Sequence, residues 1–174
     1  MSGRVAQGLA GLERERLRRR YRPARIRVLF IGESPPASGR FFYRRDSGLY
    51  RAVRDAFRTL DPAITDDTFL EAFQHSGCYL IDACSDPVDA LDARSRRTAC
   101  VASESGLARN IRRFQPAAIV TLLKSIRDNV RRAAVRAGWH GLIVELPYPG
   151  RWASHRESFL EDLVPQLEQL FLGR

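Results

Sequence analysis

The chain has 174 residues, of which 44% are hydrophobic and 28% charged, and this composition excludes a collagen-like, disordered or disulfide-scaffold protein. No apolar run approaches the roughly 18 residues of a membrane helix, and the first residues are charged rather than signal-like. We therefore expect no membrane partner and a cytoplasmic, intracellular protein, associated with the nucleoid if it is bacterial. Lysine and arginine number 29 against 20 acidic residues, and the net charge of +9 favours a polyanionic partner such as nucleic acid.

Arginine supplies nearly all of the positive charge, since Lys124 is the only lysine. Arginine suits bidentate contacts with phosphate, but a compositional bias of the genome would give the same excess, and both interpretations stay open. Cys78, Cys84 and Cys100 have no spacing typical of zinc or an iron–sulfur cluster, and the three histidines are scattered. We therefore expect reduced cysteines, no metal and no cofactor.

Residues 4–20 predict a basic amphipathic helix, because leucine and valine recur in it at near-helical spacing among glutamates and arginines. Such a helix covers the domain, contacts phosphate or presents a solvated face, and the sequence does not choose among these. We treat residues 1–22 as this N-terminal helix and residues 23–174 as one α/β domain.

Strands and helices are predicted to alternate along that domain. Strands are expected where β-branched and apolar residues run together, and helices where apolar residues recur at helical spacing. The expected order is a strand over 26–31, a helix over 47–60, a helix capped by 65–67 and stopped by Gly77, a strand over 78–81, a helix over 94–114, a strand over 117–123, a helix stopped by Gly138, a strand over 142–146 and a last helix. Ser125 and Ser154 each open a capping-box pattern, and Pro165 should kink or divide the last helix.

Strands that are separated by helices and lack apolar–polar alternation are typical of a parallel sheet covered on both faces. We therefore predict a three-layer α/β/α sandwich with a central four-stranded parallel sheet. Ligands of such sheets bind beyond the carboxyl ends of the strands. This places four segments at one edge of the sheet: residues 32–43, 82–87, 123–125 and 147–155.

Two of these segments carry candidate ligand contacts. Gly32 allows a sharp turn after the first strand, and the prolines at 35–36 stiffen the loop that holds Glu33 at the mouth of a pocket. The aromatic residues 41–43 either stack on a planar ligand or belong to the core. Trp152, between glycine, arginine and a predicted helix, either packs under the start of that helix or projects as a wedge.

In four blocks that occur in order, the sequence resembles the uracil-DNA glycosylase superfamily. Residues 28–36 are similar to its first motif, a strand that ends in glycine, an acidic or amide residue, and proline. Residues 79–82 resemble the second strand block, residues 116–125 the third strand with its following lysine, and residues 146–153 the closing loop. The resemblance implies a DNA N-glycosylase of base-excision repair that flips a damaged, uracil-like base out of DNA and hydrolyses its N-glycosidic bond.

The resemblance implies four catalytic candidates. Glu33 matches the acidic position that positions or activates water in one branch of the family, and Ser34 is the working position in other branches. Tyr148 falls where the family has a histidine that supports the leaving base, and a phenol can donate to the same base oxygen. His155 is an alternative group for that support. The cysteines of the iron–sulfur branch are absent.

The implied base-binding residues are Gly32, Pro35, Phe42 and Asp82. Phe42 is similar to the aromatic residue that stacks on the flipped base. Asp82 falls where family members often carry asparagine, and an ionised aspartate only accepts hydrogen bonds. We therefore expect Asp82 to select a base edge that presents a ring N–H or an amino group, unless the carboxyl group is protonated.

Contacts with DNA phosphates are expected from the arginines of the edge segments. The set comprises Arg40, Arg44, Arg45, Arg151 and Arg156, with Trp152 at the wedge position. The expected partner is single- or double-stranded DNA that contains a damaged base, and the protein is expected to be a monomer. Two other functions fit the same residues: a nucleic-acid-binding module of this fold without catalysis, and a hydrolase of free nucleosides or nucleotides.

Overall fold

The structure, a computed structural model, describes residues 2–150 and 152–172, without the side chains of residues 2–7 and Leu9. Six helices and four strands form this part of the chain. The helices are α1 (Ser2–Arg20), α2 (Gly48–Leu60), α3 (Phe69–His75), α4 (Ala93–Phe114), α5 (Arg127–Ala137) and α6 (Ala153–Leu172). The strands are β1 (Val28–Gly32), β2 (Cys78–Asp82), β3 (Ala118–Thr121) and β4 (Leu142–Glu145), and 3₁₀ turns cover Phe42–Arg44 and Lys124–Ile126. No helix in the described residues could span a membrane.

The four strands form one parallel sheet in the order β2-β1-β3-β4. Gly32 at the end of β1 is level with Asp82 at the end of β2. Thr121 at the end of β3 is level with Ile31 of β1 and with Glu145 at the end of β4, so the carboxyl ends of the four strands lie together. α2 packs against α6 and α3, while α4 packs against α5, and these two groups form the helical layers. The predicted three-layer α/β/α sandwich with four parallel strands is confirmed.

The core between β1 and the α2–α3–α6 layer is aromatic. The ring of Phe73 lies 5.3 Å from Phe30 and 5.4 Å from Phe42, measured between centroids, and Phe57 lies 5.4 Å from Phe69. All five side chains are buried. Tilted and edge-to-face rings at these distances add to the free energy of burial, by about 0.5–1.5 kcal/mol per pair, and they fix the loop that follows β1 against the helices.

Helix ends agree with the sequence at some positions. Ser47 caps α2, its Oγ accepting from the backbone N–H of Tyr50 at 3.1 Å. Thr65 accepts from the N–H of Thr68 at 3.3 Å and so caps the turn that leads into α3, although the α-helix itself begins at Phe69. Gly77 follows α3 with a φ of 76°, a conformation that favours glycine.

Two expectations about helix caps are wrong, and so is one about the length of the last helix. Ser125 lies inside the 3₁₀ turn, and Ile126 precedes α5 without any side-chain cap. α6 begins at Ala153, so Ser154 lies within the helix and cannot be its cap. Of the two effects expected of Pro165, a kink or a division, the division is wrong, because α6 runs unbroken to Leu172. Leu163 and Leu167 flank the proline, and both are buried, so the two halves of α6 pack on the same core.

α1 docks on the α/β domain. Arg18 forms an ion pair with Asp82 at the end of β2, with 2.7 Å between NH2 and Oδ2. Past the end of α1, the ring of Tyr21 stacks on Tyr43 at 5.7 Å between centroids. Of the three roles considered for this helix, covering the domain is the one that these contacts support directly.

Candidate functional site

A pocket of about 250 Å³ opens at the carboxyl ends of the strands, and each of the four edge segments contributes to its lining. Gly32 and the loop after β1 form one wall, and Asp82 comes from the end of β2. Leu123 follows β3, and Tyr148 follows β4. The expectation that these distant segments meet at one edge is confirmed. Ligand pockets usually measure about 300–1,000 Å³, so this one suits a small molecule or a single planar group.

Glu33 is the buried carboxylate of this pocket, with 7% of its surface exposed. The parallel ladder continues past β1, since the carbonyl of Glu33 accepts from the N–H of Cys84 at 2.8 Å. Its side chain binds the guanidinium of Arg96 from α4 through two parallel bonds, Nε to Oε1 at 2.8 Å and NH2 to Oε2. A carboxylate held in this way has one fixed orientation.

Arg96 is a site residue that the sequence interpretation missed. The hydrogen bond to Glu33 raises the pKa of Arg96, which therefore stays a cation, and 37% of its side chain is exposed. Because the chain contains so many arginines, the sequence does not indicate which of them pairs with Glu33. The one available signal is position, because the first turns of α4 follow the edge segment 82–87 and must begin near the same edge of the sheet.

Asp82 lies at the boundary between the pocket and α1. Arg18 binds its Oδ2, while Oδ1 lies 3.0 Å from the position that a Cβ on Gly32 would take. A Cβ at position 32 would require this carboxylate to shift by a few tenths of an ångström, and the close approach favours glycine. Burial raises the pKa of the Asp82 carboxyl group, and the charge of Arg18 opposes that shift.

The aromatic residues 41–43 belong to the core, one of the two possibilities that the sequence left open. Phe42 is buried among Tyr43, Tyr50 and the phenylalanines of the core, yet it also lines the pocket. The Tyr43 hydroxyl donates to the Leu80 carbonyl at 3.2 Å and accepts from the Leu80 N–H at 2.8 Å. Burial raises the pKa of Tyr43 well above its usual value, so it remains a neutral structural group.

The remaining base-binding and catalytic candidates fall into two groups. Pro35, Ser34 and the half-exposed Tyr148 line the pocket, and the Oγ of Ser34 also accepts from the backbone N–H of Val88 at 3.2 Å. His155 is exposed and is not among the described residues that line the pocket. Its ring packs on Gly150, where a Cβ would lie 2.5 Å from Nδ1, so His155 supports the loop that carries Tyr148.

The residues predicted to contact DNA differ in their exposure to solvent, and none of those that the structure describes lines the pocket. Trp152 has 71% of its surface exposed, so it projects and does not pack under α6. Arg40 is exposed. Three predicted arginines are held by surface ion pairs, Arg44 with Glu13 at 2.9 Å, Arg45 with Asp67 at 3.4 Å and Arg156 with Asp55 at 3.8 Å. Exposed pairs of this kind contribute little free energy. Arg151 lies outside the described residues.

The described residues contain no group of three or more His, Cys, Asp or Glu side chains arranged to hold a metal ion. Cys84 and Cys100 are buried free thiols whose sulfur atoms lie 3.8 Å apart, beside Glu33. Burial raises the pKa of Cys100 to about 12, so this thiol is a neutral neighbour of Glu33. The polar groups that line the pocket are therefore carboxylates, an arginine and hydroxyl groups.

Comparison with known proteins agrees with this geometry. The family model described as the uracil DNA glycosylase superfamily matches residues 19–169 of the chain. The match includes the whole sheet and every residue of the pocket, and it begins after Arg18. No curated protein matches the sequence. Since the family match spans most of the 174 residues and the fold and pocket accord with it, the chain belongs to the uracil DNA glycosylase superfamily.

Proposed function

We propose that the protein is a DNA glycosylase that holds a flipped, deaminated base in the pocket at the sheet edge and hydrolyses its N-glycosidic bond. The observation that carries the proposal is the convergence of Glu33, Asp82 and Tyr148 on one pocket with an aromatic wall. Membership of the superfamily supports glycosylase-like chemistry in general. The net charge of +9 suits a polyanionic substrate.

Each residue has a role in that reaction. The bond between the base and C1′ breaks with its electron pair on the base, which leaves positive charge on the sugar. Glu33 stabilises this charge and orients a water molecule whose oxygen attacks C1′, and the proton of that water passes to the carboxylate or to solvent. The phenol of Tyr148 donates to a base oxygen as the base becomes negative.

Asp82 determines which base edge the pocket accepts. Arg18 occupies Oδ2, which leaves Oδ1 beside Gly32 as a hydrogen-bond acceptor at the pocket wall. An ionised carboxylate cannot donate, so it favours a base edge that presents N–H groups and disfavours one that presents only carbonyl oxygens. Flipping costs a few kcal/mol, which stacking on Phe42 and insertion of Trp152 into the vacated gap would offset.

A second candidate function is a DNA-binding module of the same fold that performs no hydrolysis. The observation that favours it is the Glu33–Arg96 ion pair. A cation bound to both oxygens of Glu33 reduces the negative charge that the sugar cation would experience. The same pair also fixes the carboxylate, which a catalytic group requires, so the geometry is compatible with either function and only activity separates them.

The test is base release from synthetic DNA. Single- and double-stranded oligonucleotides with one uracil, hypoxanthine or xanthine are incubated with excess protein and then treated with alkali, which cleaves the strand at abasic sites. We expect cleavage of at least one substrate. Binding of the same oligonucleotides without any cleavage would establish the binding module instead. Release of the base from free nucleosides or nucleotides, but not from oligonucleotides, would establish a nucleoside hydrolase.

A further inference from the structure

A second concavity of about 590 Å³ lies beside the candidate pocket, between α1 and the C-terminal end of α4. We call it the arginine groove. Arg14 and Arg18 line it from successive turns of α1, and Arg22 lines it just beyond the helix. Arg113 faces them from the last turn of α4, and Tyr79 of the edge strand β2 lies between the two walls. The groove therefore carries several guanidinium groups on the α1 side and one on the α4 side.

The acidic residues of the groove do not neutralise all of these cations. Arg18 is already bound to Asp82 at 2.7 Å and to Glu15 at 2.6 Å. In the part of the chain that the structure describes, Arg14, Arg22 and Arg113 form no ion pair, and the groove contains one further carboxylate, Asp86. The groove thus keeps a surplus of positive charge directed at solvent.

The neutral groups of the groove are also suited to oxygen ligands. Burial raises the pKa of Tyr79 to about 12, so its hydroxyl group keeps its proton and can donate a hydrogen bond. Asn110 adds an amide donor from α4. Guanidinium, hydroxyl and amide donors around an open, polar groove are the groups that contact phosphodiester oxygens in nucleic-acid complexes.

The groove adjoins the candidate base pocket. Asp82 lines both concavities, and its ion pair with Arg18 forms the wall between them. On the α1 side, Gly8 and Gly11 have no side chains to block the approach of a sugar–phosphate chain, and nothing lies within 4 Å of a Cβ built on Gly8. A strand with one base in the pocket can therefore continue along the groove.

We propose that the arginine groove binds the phosphodiester backbone of the DNA strand next to the nucleotide held in the pocket, through Arg14, Arg22 and Arg113. The choice of DNA rests on the proposed function, but binding in the groove does not require any hydrolysis. α1 then has two tasks, since it holds Asp82 through Arg18 and extends the DNA-binding surface along the edge of the sheet.

The test is the salt dependence of binding to an undamaged, fluorescently labelled DNA duplex, measured by anisotropy. The variant R14Q/R22Q/R113Q is compared with R16Q/R25Q/R58Q, which removes the same charge from three exposed arginines outside the groove. Each lost phosphate contact reduces the slope of log K against log[salt] by about 0.9. We therefore expect a slope smaller by about 2.7 for the groove variant and a much smaller change for the control.

Other outcomes overturn the groove proposal without deciding the glycosylase proposal. Equal slopes for the two variants would show that only net charge matters. Failure of the wild-type protein to bind the duplex would also overturn the groove proposal. The proposal would likewise be overturned if a deoxynucleoside monophosphate bound as tightly as the duplex at the same phosphate concentration. If the triple variant does not fold, R14Q and R113Q are measured singly, each with an expected decrease of about 0.9. Base release by the wild-type protein is scored separately.

Discussion

Two buried glutamates, Glu33 and Glu104, are both paired with arginine but lie in different settings. Their exposed fractions are 7% and 1%, and each is bound by arginine. Glu104 of α4 accepts from Asn129 at 2.9 Å and from Arg132 at 2.7 Å, and both donors come from α5. Glu33 instead borders an open pocket at the carboxyl edge of the sheet.

The difference teaches that a buried ion pair does not by itself indicate a functional site. Burial would raise the pKa of Glu104, but the hydrogen bonds from Arg132 and Asn129, with the charges of Arg132 and Arg136, lower it overall. These contacts bind α4 to α5. Glu33 has a ligand-sized cavity beside it and Tyr148 on the same cavity, and this setting makes it the catalytic candidate.

The largest expected effect is on catalysis. Glu33→Gln keeps the size of the side chain but removes its negative charge, so the single-turnover rate of base release should fall at least 100-fold, within the range of about 10²–10⁴ for a general acid or base. Glu104→Gln should leave that rate within about twofold, because Glu104 lines neither the base pocket nor the arginine groove. Equal rates for wild type and Glu33→Gln would remove Glu33 from its role.

The next effect is on stability, where substitution of Glu104 should have a larger effect than substitution of Glu33. Glu104→Ala leaves the buried amide of Asn129 without its acceptor, which should lower the free energy of unfolding by about 1–3 kcal/mol. Glu33→Ala should cost less than half as much, since the partly exposed Arg96 can be solvated. Urea unfolding of both variants measures the two losses. A larger loss for Glu33→Ala would mean that the Glu33–Arg96 pair is primarily structural.

A smaller effect on the rate of base release should distinguish Arg96, the partner of Glu33, from Arg132, the partner of Glu104. Lysine lacks the planar fork with which arginine forms two parallel bonds to a carboxylate. Arg96→Lys should therefore release Glu33 from its fixed orientation and slow base release about tenfold. Arg132→Lys is the matched control at Glu104 and should leave the rate unchanged. If both substitutions slow the reaction equally, the orientation of Glu33 by Arg96 is not what the rate depends on.

The smallest expected effect is on the pH dependence of stability. The pKa of Glu104 is lower in the folded protein than its ordinary value of about 4.3. Its ion pairs therefore stabilise the fold fully above that value, and the stabilisation is lost as the pH falls through the folded pKa. The free energy of unfolding, measured between pH 6 and pH 3, should decrease less for Glu104→Gln than for wild type. An identical pH dependence would contradict the lowered pKa.

The sequence was sufficient for the fold because three of the four strands, β1, β2 and β3, are apolar runs that are buried in the parallel sheet, while β4 at its edge is only partly buried. It also predicted which segments meet at the pocket, since carboxyl ends of parallel strands share an edge. Local patterns were less reliable. The capping-box patterns at Ser125 and Ser154 match the residue types, but the backbone around Ser125 forms a 3₁₀ turn and α6 begins before Ser154.

The arginine partners could not have been found from the sequence. Arg96 contacts Glu33 across 63 residues and Arg18 contacts Asp82 across 64. Nothing in the adjacent sequence distinguishes Arg96 or Arg18 from other arginines. Which carboxylate each arginine contacts depends on where α4 and α1 lie in the fold. The orientation of Trp152 was open for the same reason, because its exposure depends on where α6 begins.

The measurement that tests the central claim most directly is the crystal structure of Glu33→Gln bound to DNA that contains the preferred damaged base. We predict that the base lies in the pocket between Tyr148 and Asp82, against the ring of Phe42, outside the stack of the duplex. A complex in which the base remains stacked and the DNA crosses a different face of the sheet, with the pocket empty, would contradict the account.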